Sequence, residues 1–355
     1  MSELELTRLV ECVPNVSEGR RPEVVDELVA AFAGADAEVL VLDRSSDPDH
    51  NRTVITLMGP GPALVEAAVA GARACARLID LNHHRGVHPR MGALDVLPFV
   101  PFGAVTRLRG GDDPELDCTD LAERAGRRIA EAAGVPVYLY GAAARHPGWG
   151  ALPAVRGRGF EALRAALGAG DGTPGSRPGP DFGGPGLHPT AGATAVGARE
   201  LLIAFNVELA GADLELARRI ASAVRERDSG LPAVRAMGVP LEGRGRGGPG
   251  DRQGGPPVHR GGPGDRQGGP PEDRVQVSMN LLDWRATPPA EAYAAVAALA
   301  ERHGARVEAS EVVGLAPAGA FDGVDPAELR LRGALDDLLL ESRLLQALTT
   351  KETPR

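Results

Sequence analysis

Three histidines, His83, His84 and His88, fall within six residues in the run HHRGVHPRMGALDV, which leads into an apolar segment. An imidazole titrates near neutral pH, so it can ligate a metal or pass a proton. The spacing admits three readings. In the first, the rings hold a metal, with Asp80 and Asp95 able to complete the site. Two adjacent histidines do not readily face one ion, and no C-x-x-C or H-E-x-x-H cluster joins them. In the second, the run is a solvated polar loop, which suits His83 and His84. In the third, His88 is a fixed acid and base. Pro89 restricts it to extended backbone, and Met91, Gly92 and a strand follow, so a stiff loop at a sheet edge presents the ring for moving a proton near pH 7.

Other chemistries are excluded by what is missing. Lys351 is the single lysine of the chain. There is no Walker-A lysine and no candidate for a Schiff base, which removes P-loop and lysine-imine enzymes. Abundant Ala, Gly, Pro and Arg reflect a GC-rich coding bias, so single arginines and Gly-Gly pairs carry little weight. A formal charge of −9 offers no nucleic-acid face and no polybasic anchor. The first residues lack a signal-peptide pattern, and no apolar run reaches the roughly 18 residues of a membrane span. Cys12, Cys75 and Cys118 are odd in number and scattered, which reads as buried thiols of a cytoplasmic protein. The sequons at Asn15 and Asn51 then carry no glycan.

The elements that position the histidine run alternate clearly. LVECVPNV reads as a strand, and PEVVDELVAAFAGA as a helix with Pro22 in its first turn, Val25, Leu28, Val29 and Phe32 on one face, and Gly34 as its stop. AEVLVLDRS and RTVITLMG are strands joined by SDPDHN. GPALVEAAVAGARACARLI is a helix, the histidine run follows, and LDVLPFVP is a strand. A helix near 121–133, the strand VPVYLYG and a helix near 160–167 extend the unit. Beyond the Gly/Pro-rich stretch GAGDGTPGSRPGPDFGGPG the pattern restarts with the strand ELLIAFNV. A helix capped by Asp213 follows, then the strands PAVRAMGV and RVQVSMNLL, a helix with Thr287 as cap and Gly304 at its end, and ARVEASEVVGLAP. Both halves read β-α-β-β-α-β. The expectation is an α/β (α+β) fold of two ferredoxin-like subdomains whose sheets face each other across a substrate cleft. Their bounds are 1–200 and 201–320, with residues 321–355 forming a C-terminal helix, starting at Asp325-Pro326, and a tail.

Inside the second half, RGGPGDRQGGPP occurs twice, from Arg246 and from Arg260. Gly243 to Gly248 match G-x-G-x-x-G literally, but no strand precedes and no helix follows, so the dinucleotide reading fails. The segment 243–273 reads as a low-complexity hairpin loop without function.

The blocks CVPNVSEG, NRTV, LIDLNHHRGVHPRMGALDVLPFVP, VPVYLYG, HPTAGATAVGARELLIAFNV and VSMNLLDW occur in an order and spacing that closely resemble the glutamate formimidoyltransferase family, folate enzymes of histidine breakdown. The resemblance runs from about Val10 to about Pro317. It implies transfer of a formimidoyl group from N-formimidoyl-L-glutamate to N5 of tetrahydrofolate, a co-substrate, with no metal. The family's catalytic histidine falls on His88. N5 must lose a proton while the glutamate amine gains one, and a single imidazole can do both in turn.

The donor carries two carboxylates and folate a glutamyl tail, so Arg52 and Arg90 are candidate anion holders. Asn15, Asn51 and Asn280 sit at strand ends, where amides can read pterin or glutamate. Gly183, Gly184, Pro185, Gly186, Leu187, His188, Pro189, Thr190, Ala191 and Gly192 resemble the family's folate-binding stretch, where small residues let backbone approach a flat ring. A bare linker is the alternative for that stretch. The chain departs from animal members at Ala142 and Ser45, where they carry acidic residues, and Asp43, Asp47 or His50 could replace the second carboxylate. These departures motivate the alternative of a non-catalytic folate-binding paralogue. The resemblance further implies a homodimer and a separate cyclodeaminase acting on the product.

Overall fold

Pro14 has no N–H to give a ladder, and the first strand of the computed structural model divides around it. The structure describes residues 3–86, 89–157, 159–168, 179–241 and 274–352. His88 therefore lies outside the described residues, as does the 243–273 repeat. The chain splits into two compact units, one formed by Met1–Leu201 with Leu344–Arg355 and the other by Leu202–Arg343.

The first unit opens with a short helix α1 (Glu3–Thr7), then β1 (Leu9–Cys12) and β2 (Asn15–Val16), which together replace the single strand expected. Helix α2 (Pro22–Ala33), β3 (Leu40–Asp47), β4 (Arg52–Pro60), α3 (Gly61–Leu78) and β5 (Leu94–Pro101) follow. Next come α4 (Cys118–Ala133), β6 (Val137–Gly141), α5 (Leu152–Arg156), α6 (Phe160–Gly168) and β7 (Thr194–Ala198). In the sheet, β3 pairs with β4, β4 with β1 and β2, and those two with β5, all antiparallel. Beyond β5 the pairing turns parallel, through β7 to β6. Phe32, Leu57, Leu64, Phe99, Ile129 and Leu139 join strands to helices in one buried core. A smaller cluster of Met91, Tyr138, Trp149, Val155 and Leu163 lies around α5 and α6. Asp117 caps α4 by accepting from the N–H groups of Thr119 and Asp120.

The second unit runs β8 (Ile203–Ala210), α7 (Leu214–Val224), β9 (Val234–Leu241), β10 (Arg274–Leu281), α8 (Pro289–Arg302) and β11 (Arg306–Val313). Its strands are ordered β11-β8-β10-β9, every neighbour antiparallel. Phe205, Val207 and Leu209 alternate with the buried polar Asn206 and Glu208, so one face of β8 is apolar and the other polar. Asn206 Nδ2 donates to Glu311 Oε1 at 3.0 Å, and the Glu208 carboxylate accepts from Arg332 at 2.7 Å and from Arg274. The α/β class expected from the sequence is thus observed.

Three local expectations are corrected. Thr287 does not cap α8: Pro288 occupies the N-cap position without a side-chain cap, and Thr287 Oγ1 donates to Pro232 O at 2.7 Å. No helix starts at Asp325. Residues 326–330 form turns, Arg330 has φ +48, and Arg330 and Arg332 exchange backbone hydrogen bonds with Ser310 of β11. The C-terminal helix, α9 (Leu340–Glu352), begins only after these edge contacts end. The strand β7 was not anticipated. Among the described residues, no helix is long and apolar enough to cross a membrane.

Candidate active site

The turn after α3 separates the two adjacent histidines. His83 is a surface side chain, 87% exposed, with Nε2 3.8 Å from Asp80. His84 is only 7% exposed, and its Nε2 lies 2.9 Å from the Asn51 carbonyl. A carbonyl can only accept, so Nε2 carries the proton and Nδ1 the lone pair. Burial pushes the His84 pKa below its ordinary value, so the ring is neutral at pH 7. The expectation of a solvated loop therefore holds for His83 and fails for His84.

Asn51 is the hub that receives it. This residue sits at the tip of the β3–β4 hairpin with φ +47, a conformation Asn tolerates better than most side chains. Its Oδ1 accepts from Gly19 N at 3.0 Å and its Nδ2 donates to Arg85 O at 2.9 Å. Three loops thus meet on one buried amide. Beside it, Asp47 Oδ1 accepts from the backbone of Asp49 and His50, and Asp47 Oδ2 is 2.8 Å from His50 Nδ1. The D-x-x-H run in SDPDHN forms this carboxylate–imidazole pair, with His50 9% exposed.

Glu18 closes the same corner. Its carboxylate is buried, which alone raises a pKa, yet hydrogen bonds from the Arg20 and Arg21 N–H groups and from the Arg21 guanidinium lower it, and Gly19 N also donates to Oε1. The charge sits before the first turn of α2, where helix N–H groups favour an anion. Thr53 Oγ1 donates to Glu18 O at 2.6 Å, tying the corner to β4.

On the far side of His88, residues 89–95 are fixed by packing. Asp95 Oδ1 accepts from Met91 N at 2.7 Å, and its Oδ2 accepts from Arg156 Nε at 2.9 Å. Asp95 is 2% exposed, so this pair is a buried ion pair. Arg90 is held as well. Its NH2 reaches Glu161 Oε1 at 2.8 Å and the carbonyls of Leu81 and His84 at 3.4 and 3.3 Å. The metal-cage reading loses four of its members here. Asp80 and His83 stay at the surface, His84 is bound to Asn51 and Asp95 to Arg156. Among the described residues, no group of three or more His, Cys, Asp or Glu could hold a metal ion.

The candidate folate stretch divides in two. Gly183, Gly184, Pro185 and Gly186 are exposed, while Ala191 and Gly192 are buried. His188 Nδ1 accepts from Ala191 N at 3.0 Å and so organises its own turn. Thr190 O accepts from Leu81 N and Ala191 O from Ala93 N, which joins this turn to the histidine loop. Asn15 Nδ2 donates to Val13 O at 3.1 Å, and its backbone is central in the sheet, between Val54 and Val96. Arg52 opens β4 opposite Asp47, half-buried. Asn280 belongs to the second unit, exposed on β10 opposite Arg235. Asn15, Asn51, Arg52, Arg90 and 188–192 are thus all in the first unit.

Comparison with known proteins adds the decisive observation. Residues 9–199 match the family model described as the formiminotransferase domain, N-terminal subdomain, and residues 270–326 match that of the formiminotransferase domain. A glutamate formimidoyltransferase of Thermoplasma acidophilum is 38% identical over 96% of this chain and 98% of its own length. The chain belongs to the formiminotransferase family. A glutamate formimidoyltransferase of Streptococcus pyogenes serotype M1 is 36% identical over 92% of this chain and 94% of its own. The formimidoyltransferase-cyclodeaminase of Sus scrofa is 39% identical over 88% of this chain but only 51% of its own length. A formiminotransferase is a group-transfer enzyme, and four of the segments on which the resemblance rested, CVPNVSEG, NRTV, the histidine run and HPTAG, supply this corner, whereas VSMNLLDW belongs to the second unit. The sequence reading had left His84 as a solvated loop residue and had not singled out Glu18, Arg156 or Glu161. A D-x-x-H run at a hairpin tip and a Glu just before a helix are the only local signals that point to any of the corner's unassigned groups.

Proposed function

We propose that this formiminotransferase moves the formimidoyl group of N-formimidoyl-L-glutamate to N5 of tetrahydrofolate, in histidine degradation. The observation that carries the reading is the near full-length likeness to proteins named glutamate formimidoyltransferase. The built corner on both sides of His88 supports it. N5 attacks the amidine carbon, a C–N bond forms, and a tetrahedral adduct results. The bond from that carbon to the glutamate nitrogen then breaks. His88 takes the proton from N5 and returns it to the departing amine, so no proton is gained or lost overall.

The substrate groups follow from chemistry. Arg52 and Arg90 hold carboxylates, with Glu161 as the exposed partner that a substrate anion displaces from Arg90. Asn15 and Asn280 bind polar edges of the substrates, and 183–192 lies along folate. Both amide ends of Asn51 are engaged by backbone, so its part is to hold loops in place. His50, oriented by Asp47, takes the place of the acidic side chain that animal members carry where this chain has Ser45. We place the enzyme in the cytoplasm, in keeping with three buried free cysteines, and as a homodimer.

An anaerobic assay with both substrates tests the reading, by following the new amidine-folate chromophore. Wild-type protein forms the product, and His88→Ala lowers turnover about 10²–10⁴-fold with folate binding retained. Near-normal turnover in that variant overturns the role of His88. Folate binding without product in the wild type would favour the paralogue reading instead.

A further inference from the structure

His84 holds a buried imidazole with one nitrogen bound and the other, Nδ1, without a partner among the described residues. Few side chains could take its place. The site needs one N–H donor aimed at the Asn51 carbonyl, an apolar body, and no charge. The charged groups around it are Arg90, Glu18, Arg20 and Glu161. Arg90 also donates to the His84 carbonyl, which brings a guanidinium against this residue. A second proton on the ring would place an N–H donor where no acceptor lies among the described residues, and a positive charge beside Arg90.

We propose that His84 is a positioning residue: as the neutral Nε2–H tautomer it pins the chain from Leu81 to Gly86 onto the hairpin tip, and so sets where the loop enters Pro89. Four hydrogen bonds and one close backbone approach carry this. His84 donates to Asn51 O, and Asn51 Nδ2 returns a bond to Arg85 O. Arg90 clamps the carbonyls of Leu81 and His84 from the other side. Gly86 lies so close to the hairpin that a Cβ there would sit 2.4 Å from His50 O. The loop is therefore bound to the tip through backbone and one imidazole, with its flanks anchored on both sides of 87–88. That the loop serves the reaction rests on the functional reading above; the tautomer and the pinning do not.

The tautomer is read directly by long-range ¹H–¹⁵N correlation of full-length protein labelled at histidine nitrogens, with His84→Gln assigning the resonance. The expected result is a ring that is neutral and protonated at Nε2 at pH 7 and takes a second proton only below the ordinary imidazole value. A ring that titrates like an exposed imidazole, or that carries its proton on Nδ1, overturns the proposal. In turnover, His84→Gln keeps an N–H donor without a titrating ring and stays within about threefold of wild type in kcat. His84→Ala loses about 100-fold in kcat with a smaller change in KM, because a misplaced loop affects the reacting step more than encounter. Equal kcat in His84→Ala and wild type sinks it as well. If His84→Ala does not fold, the wild-type tautomer and His84→Gln still decide. Assaying His88→Ala alongside keeps the two readings apart, since activity in that variant removes the acid/base role of His88 and leaves the His84 tautomer standing.

Discussion

Gly92 and Gly192 pair across an antiparallel bridge in which neither has room for a side chain. A Cβ on Gly92 would lie 2.1 Å from Ala193 O, and one on Gly192 would lie 2.2 Å from Met91 O. Gly192 in addition has φ +70, where an L side chain is strained. Two motifs that stand a hundred residues apart are thus halves of one backbone contact. Gly92→Ala and Gly192→Ala should each cost about 2–4 kcal/mol of stability, through backbone clash and strain. Gly184→Ala, with nothing within 4 Å of its Cβ, should stay within about 0.5 kcal/mol. Urea midpoints measure all three, and equal midpoints for Gly92→Ala and Gly184→Ala would refute the contact.

The Asp95–Arg156 pair predicts an asymmetry. Asp95 satisfies the N–H groups of Met91 and Gly92 as well as the guanidinium. Removing Arg156 leaves a buried carboxylate with only those N–H groups, at a cost of about 3–5 kcal/mol. Replacing both residues by apolar ones costs less than the two single losses added together, because no charge is stranded. A double-mutant cycle in urea measures this. Additive losses would show that the pair is not coupled.

Glu18 sets a pH dependence. Burial raises its pKa, but the hydrogen bonds from Arg20 and Arg21 outweigh it and hold the carboxyl below its ordinary 4.5. Between the folded and unfolded values the native state binds fewer protons, so stability is present above about pH 4.5 and falls as pH falls further. Glu18→Gln should lose roughly 1–3 kcal/mol at pH 7, because N–H donors lose a charged acceptor. Its stability should also change less between about pH 5 and pH 3 than that of the wild type. His84 adds a term of the same sign at higher pH. Its depressed pKa makes stability complete above the ordinary 6.5 and lower as acid is added. His84→Gln should flatten the profile just below pH 6.5 and leave the Glu18 region unchanged. Chemical denaturation at a series of pH values separates the two.

Much of this was legible in the sequence because alternation and caps are local. The strands LDVLPFVP and RVQVSMNLL, and the cap at Asp213, are found where pattern placed them. What failed was decided by distant partners. TAVGA is buried on both faces and made of small residues, so β7 has no alternation to show, although it joins β5 to β6 in the sheet. Thr287 is a good cap by type, but the carbonyl of Pro232, far away in sequence, takes its hydroxyl. His83 and His84 are neighbours of identical type, and no period inside a turn says which one faces inward. The leucines near 329–340 have helical spacing, yet Leu329, Leu338 and Leu340 are buried through turns and bridges along β11.

The β9–β10 register makes a prediction about the repeat segment. Leu241 and Arg274 are cross-strand partners, and pairing continues without a break to Val234 opposite Leu281. The chain between them leaves and re-enters the sheet at adjacent positions, so its length is not needed to close the hairpin. A two-residue Asn-Gly turn fits such an end, because a type I′ turn matches the twist of antiparallel strands. Replacing 242–273 by Asn-Gly should therefore preserve the fold of the second unit. A shorter closed loop should also raise stability, by about 0.6 kcal/mol for each halving of length. Kinetic constants should remain within about twofold, since residues of the catalytic reading lie elsewhere. A shortened protein that folds but has lost turnover would show that the RGGPGDRQGGPP repeat takes part in the reaction.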